Sequence, residues 1–220
     1  MKARHFADIL MLLCLVSLAL SVSLPFGAQC STGGADDAIK DLLGHKPDKR
    51  HAAVEVLGRI RDPESISALI SVLDDANEDW LLRKKIILLF REIREPRAVS
   101  SMVDALQDPC PAIRWSAAGA LSEFPGSNLV ISHLIYTLED RVLFVREAAI
   151  MSLGRLKADR ALPFIISALE DKSFAIRCAA INALGRIGPA NAVGQLRRIS
   201  ANDPDELIRS EAIKALKGIF

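Results

Sequence analysis

Residues 161–192 read ALPFIISALEDKSFAIRCAAINALGRIGPANA. An apolar stretch, Ala161–Leu169, runs into the acidic pair Glu170-Asp171, and a second apolar stretch follows around Arg177 before Gly188-Pro189 breaks it. Counting from Arg177, apolar residues stand three, seven and ten places on, at Ala180, Leu184 and Ile187. Offsets of 3, 7 and 10 trace one face of an α-helix. The stretch therefore predicts two helices joined by a tight turn, each with one side to bury.

Working outward, the same arrangement recurs on Arg50, Arg83, Arg114, Arg146, Arg177 and Arg209. The third offset holds Ala53, Ile86, Ala117, Ala149, Ala180 and Ala212; the seventh holds Leu57, Phe90, Leu121, Leu153, Leu184 and Leu216. Six places before the marker stand Asp108, Asp140, Asp171 and Asp203, with Asn77 in the second repeat. Asp and Asn suit a turn and the start of a helix, where they accept from free backbone N–H groups. Asp62-Pro63, Glu95-Pro96, Pro125-Gly126 and Gly188-Pro189 separate one unit from the next. A period near thirty residues with helical offsets inside it is the pattern of a helical solenoid. Aromatic residues make up only 5% of a chain that is half apolar, a mix that suits close-packed helices better than sheets.

The Ala-Leu-Pro opening, the Leu-x-Asp turn, the apolar-Arg pair, the Ala pair and Ala-Leu-Gly-x-Ile together resemble the HEAT-like repeat family. The short repeats named after phycobilisome lyase subunits are the most similar. The resemblance covers residues 36–220 and implies an all-α, right-handed solenoid of about six antiparallel helix pairs. Lys84-Lys85-Ile86 and Ser116-Ala117, with Ser122-Glu123 where Gly-Arg is usual, depart from the pattern. Looser or specialised packing is expected in those two repeats. The extra residues Asp74-Asp75-Ala76-Asn77 predict a longer inner turn in the second.

Residues 1–29 have the three parts of an export leader: Lys2 and Arg4, the uncharged run Ile9–Leu24, and the breaker Pro25-Phe26-Gly27-Ala28. The run is short against the roughly 20 residues of a membrane span, and an uncleaved anchor over Ile9–Phe26 is the alternative. Gly27-Ala28-Gln29-Cys30 resembles a lipoprotein box with Cys30 as the acylated residue. Gln29 stands where that pattern has a small residue, so ordinary cleavage after Cys30 or Ala35 stays open. Residues 30–35 read as a flexible tether. The expected location is the periplasm or cell envelope, with membrane contact only through the leader or a lipid on Cys30.

Net charge is +1, and Lys2, Arg4 and Asp8 account for it within the leader, leaving zero for the repeats. A neutral solenoid lacks the overall drive for counterion release, so no nucleic-acid partner is expected. Cys110 and Cys178 lie in different repeats, which argues against a disulfide between them. His45, His51 and His133 are scattered and no Cys/His cluster exists, so neither a metal site nor a cofactor is expected. Nor do any dissimilar groups converge once, as catalysis requires. The marker Arg has a structural reading instead: its stem covers the core while its guanidinium pairs an Asp, giving a ladder of bidentate bonds along the stack.

Offsets one, five and nine from the marker lie opposite the core face. In HEAT-like families the second helices line the concave surface, so these columns are what a partner would meet. Leu88, Trp115 and Met151 fall there in adjacent repeats, with Arg155 and Arg186 beside them as contacts for an acidic partner. Packing between repeats is the competing reading of the same residues. The expected function is a non-catalytic scaffold or adaptor that holds a protein or peptide. Resemblance in repeat type implies the alternative, a subunit of a bilin-chromophore lyase.

Overall fold

The computed structural model describes residues 32–219, so the leader and Cys30 lie outside the described residues. Twelve α-helices follow one another: α1 Thr32–Leu42, α2 Pro47–Ile60, α3 Pro63–Asp74, α4 Trp80–Ile93, α5 Val99–Asp104, α6 Pro111–Ala120, α7 Asn128–Thr137, α8 Leu143–Arg155, α9 Leu162–Ala168, α10 Phe174–Ile187, α11 Pro189–Asn202 and α12 Glu206–Ile219. Single 3-10 turns flank several of them, and the described residues contain no strand. Six helix pairs result, stacked as a right-handed α-solenoid. Second helices pack in succession, α2 on α4, then α6, α8, α10 and α12.

Local chemistry starts each second helix. The carboxylates of Asp108, Asp140, Asp171 and Asp203 accept from the N–H groups of Cys110, Val142, Ser173 and Asp205 at 2.7, 2.8, 2.7 and 2.9 Å. Each bond spans two residues and closes the turn before the helix begins. The expected capping role is thus displaced upstream, and the N-cap residues Cys110, Val142 and Ser173 make no side-chain cap bond. True side-chain caps occur at Asp62, Asp79 and Ser127.

The core runs between the helix layers. Every residue at the third offset is buried, as is every residue at the seventh through Leu184; Leu216 is half-buried. Small side chains let the second helices approach closely. An atom added at the Cβ position of Gly154 would sit 2.7 Å from Cα of Ala183, so α8 and α10 touch nearly backbone to backbone.

A ladder of ion pairs stitches the turns together. Arg83 meets Asp108 at 2.6 Å, Arg114 binds Asp140 through two bonds of 2.6 and 3.0 Å, and Arg50 binds Glu78 in the same forked way. Each Arg through Arg177 reaches forward to the next repeat's carboxylate. All six, Arg209 included, hold a carbonyl of their own repeat: Leu42, Leu73, Asp108, Asp140, Asp171 and Asp203 in order. The rungs are not all bidentate, since Arg146–Asp171 and Arg177–Asp203 stand at 4.0 and 3.5 Å.

Three expectations need correction and one holds in part. Asn77, expected as the turn residue, is exposed and donates its own N–H to Asp75 at 2.9 Å, so Asp75 closes that turn; Glu78 supplies the rung to Arg50, its carboxylate accepting both donors of the fork. The second repeat's inner turn, residues 75–79, is longer than turns 43–46, 108–110 and 203–205 but equal to 138–142 and 169–173, and Asp74 belongs to α3. Packing around the irregular repeats is tight, with Ile86, Ile87 and Phe90 fully buried. Finally, α1 begins inside the stretch expected as tether, because Ala35, Ala38 and Leu42 form one buried helical stripe.

Two stability tests follow from this packing. Gly154→Ala should lower the unfolding free energy by about 1–3 kcal/mol through overpacking, although helix propensity alone favours Ala by about 1 kcal/mol. Arg114→Met, which strands the nearly buried Asp140, should cost about 3–5 kcal/mol, and Arg146→Met clearly less; urea unfolding measures both. Burial pushes the Asp140 carboxyl up, but the Arg114 bonds and the Val142 N–H outweigh it and hold the group below the usual range. Bonding to Arg50 lowers Glu78 against burial in the same sense. Both carboxyls bind protons more weakly folded than unfolded. Their stabilisation is complete above about pH 5 and should fade as pH falls through the lowered folded values, less steeply in Asp140→Asn.

Candidate functional site

The second helices carry one continuous outer face. On α4, Trp80, Lys84 and Leu88 follow at four-residue steps, with Arg91 three further on; α6 adds Trp115 and Gly119. Phe144, Glu147, Met151 and Arg155 continue the face on α8, and Phe174, Cys178, Asn182 and Arg186 on α10. These spacings return to one side of a helix. Between α4 and α8 they enclose a groove of about 720 Å³, floored by the small residues Ala112, Ser116, Gly119, Ala148 and Ser152. A second groove of about 520 Å³ adjoins it between α8 and α10 and shares Glu147, Met151 and Arg155.

Leu88, Trp115, Met151 and Arg155 therefore line one groove, and Arg186 lines its extension. Trp80, Leu88, Trp115, Phe144, Met151 and Phe174 are each between 41% and 44% exposed, half open to solvent in a row across four helices. Sequence reasoning missed Trp80, Phe144, Phe174 and Arg91. Extending the outward columns one turn upstream would have found the aromatic residues, since Trp80 and Phe174 lie four residues before the first offset and Phe144 seven before Met151.

Charge on this face is lopsided. Lys84, Arg91, Arg155 and Arg186 line the two grooves against the single carboxylate of Glu147. None of the five forms an ion pair among the described residues. Lys84 instead lies over the Trp115 ring, 5.6 Å from its centroid, and Arg155 donates to the Ser122 hydroxyl at 3.3 Å. Burial, aided by Glu211, raises the Cys178 thiol above its ordinary range, so it stays neutral and adds no charge. Cys110 and Cys178 are both free thiols. His51 faces Asp79 at 3.9 Å, and His133 contacts the Leu129 carbonyl within its own helix. Among the described residues no group of His, Cys, Asp and Glu is placed to hold a metal ion.

A family model of HEAT repeats matches residues 36–100, 76–146 and 131–217. The chain belongs to the HEAT-repeat family. Its fold is similar to that in the complex of CpcE and CpcF of phycocyanin lyase from Nostoc sp. PCC7120, with a TM-score of 0.57 and 21% identity over 89% of this chain and 79% of that one. It is equally similar to computationally designed armadillo repeat proteins for modular peptide recognition, at TM-score 0.56 and 18% identity over 84% of this chain and 99% of that one. A designed armadillo repeat protein in complex with the peptide (KR)4 gives 0.58 and 19% over 84% and 98%. None of the curated proteins matches this sequence.

Gly119 occupies the groove floor with no atom within 4 Å of where a Cβ would stand. Gly119→Ala should therefore raise stability, by up to about 1 kcal/mol from helix propensity, in a thermal or urea melt. Its response should be opposite in sign to that of Gly154→Ala.

Proposed function

We propose that this protein is a non-catalytic binding scaffold whose second-helix groove grips a protein segment carrying apolar side chains beside carboxylates. The observation that carries this reading is the pairing, on one face, of six half-exposed large apolar side chains with four cations that have no carboxylate partner. A contiguous apolar surface rimmed by polar groups marks an interaction site. Aromatic and Arg side chains supply most of the energy at such sites. Unpaired cations there gain by meeting a carboxylate and also disfavour basic segments. The designed relative binds a basic peptide; the cations lining this groove select the opposite charge.

The working location in this proposal is the cell envelope, reached through the leader at residues 1–29, with Cys30 as a lipid anchor. Motive for that part is the sequence of the leader alone. The lyase alternative shares the fold likeness, and an absorbance titration with a bilin-bearing protein is its direct test.

Crosslinking capture from envelope fractions, with mass spectrometric mapping of the joined peptides, tests the groove. Captured segments should join to α4, α6, α8 and α10 and combine apolar with acidic residues. Trp115→Ala with Met151→Ala, and Arg155→Glu with Arg186→Glu, should each weaken capture at least about tenfold, equivalent to about 1.4 kcal/mol. All four side chains are exposed, so the helical melt should hardly move. Undiminished capture by both double variants would overturn the groove assignment, as would a preference for a nucleic acid over any captured protein.

A further inference from the structure

The groove has two unlike edges set at a constant separation. On α4 and α8 the aromatic residue, Trp80 or Phe144, precedes the basic one, Arg91 or Arg155, by eleven residues; on α10 Phe174 precedes Arg186 by twelve. At 1.5 Å per residue the edges stand about 16–18 Å apart along the helices. The floor between them is low, since Gly119 and its small neighbours project little, and the volume above it is open.

That cross-section discriminates between occupants. An extended chain turns alternate side chains up and down, toward the floor and away from it, and places few sideways. It can fill a narrow cleft but does not reach both edges of this trough together. An α-helix with its side chains is about 10–12 Å across and presents an apolar stripe and a charged stripe on different sides of one cylinder. Seated in the trough, it touches the aromatic edge with one stripe while its carboxylates meet the Arg side chains on the other. Arg155 is already steadied by the Ser122 hydroxyl, in the 3-10 turn that follows α6.

Resting on the groove reading above, the geometry points to an amphipathic α-helix with an acidic stripe as the segment this protein binds. It lies across α4, α6, α8 and α10. Packed helices sit about 8–10 Å apart, so three intervals span about 24–30 Å, and the bound helix has roughly 16–20 residues. The acidic stripe faces the C-terminal ends of the second helices, and the apolar stripe covers Trp115 and Met151.

The chain's two tryptophans, Trp80 and Trp115, both line the groove, so intrinsic fluorescence reports its occupancy directly. The probes are two tryptophan-free 18-residue synthetic peptides of one composition. The first is side-chain-stapled as a helix, with Leu and Phe on one stripe and Glu on another; the second has the same residues in alternation and carries D-residues that prevent a helix. The stapled peptide should bind at least tenfold more tightly, and Arg155→Glu with Arg186→Glu should erase that advantage. A Lys-for-Glu stapled peptide should regain it on the charge-reversed variant. Equal or tighter binding of the extended peptide would overturn the helical occupant while leaving the groove reading standing. Absence of any saturable fluorescence change with either peptide would overturn both.

Discussion

Close approach of the second helices is the constraint on which everything else in this molecule depends. A single helix pair cannot bury its own apolar side, so each repeat is stable only against its neighbours. Ala117, Ala149, Ala180 and Ala212 at the third offset, and Gly154 against Ala183, keep the contact close enough for Leu121, Leu153 and Leu184 to be fully enclosed. Once those inward columns are fixed, helical geometry leaves the outward columns no freedom. Trp115, Met151 and Arg186 share one face because Ala117, Leu153 and Leu184 share the other. The groove is thus a by-product of stacking, and its width is set by helix length.

Charge is divided between two surfaces. Along the turns, each marker Arg through Arg177 is spent internally, binding a carboxylate ahead and a carbonyl in its own repeat, as Arg114 does. Removing either group strands a partner at a nearly buried site, so the ladder fixes register more than it adds net stability. Along the groove, Lys84, Arg91, Arg155 and Arg186 have no such obligation. The chain's net charge of +1 conceals this split entirely. Neutrality overall does exclude a broadly basic molecule, yet it says nothing about where the unpaired cations collect.

The repeat architecture was legible because period and helical offset are arithmetic properties of the sequence, repeated six times. Arg50 through Arg209 marked the helices, and their burial partners followed from the 3.6-residue turn. What escaped was everything decided by distance across the turns. The ladder's forward direction depends on where Asp140 lies relative to Arg114, 26 residues earlier, and no local pattern encodes that. The second repeat shows the same: Asp75 rather than Asn77 closes its turn, and Glu78, 28 residues after Arg50, accepts both bonds of that guanidinium. Gly33-Gly34 makes residues 30–35 read as a tether, while the spacing of Ala35 from Ala38 and Leu42 puts it in the core. On the groove, the outward columns found Leu88, Trp115, Met151, Arg155 and Arg186. They stopped at the marker Arg and so lost the first-turn aromatic residues, and Arg91, one place off the ninth offset.

Lys84-Lys85-Ile86 and Ser116-Ala117 break the consensus, yet Ile86 and Phe90 are fully buried there, so the core absorbed the change without loosening. The same two repeats also carry distinctive outward residues. Trp80, Lys84 and Leu88 come from the second repeat, Trp115 and Gly119 from the third, and these residues form one end of the groove. Lys85 meanwhile turns away to hold the His51 carbonyl and Glu55 of the preceding repeat. Residues that stack must recur, because every interface presents the same problem. Residues that recognise a partner need not, because the partner does not repeat. The outward columns carry no consensus at all, reading His51, Lys84, Trp115, Glu147, Cys178 and Ser210 at the first offset, so the composition of the groove varies freely while the inward columns stay fixed.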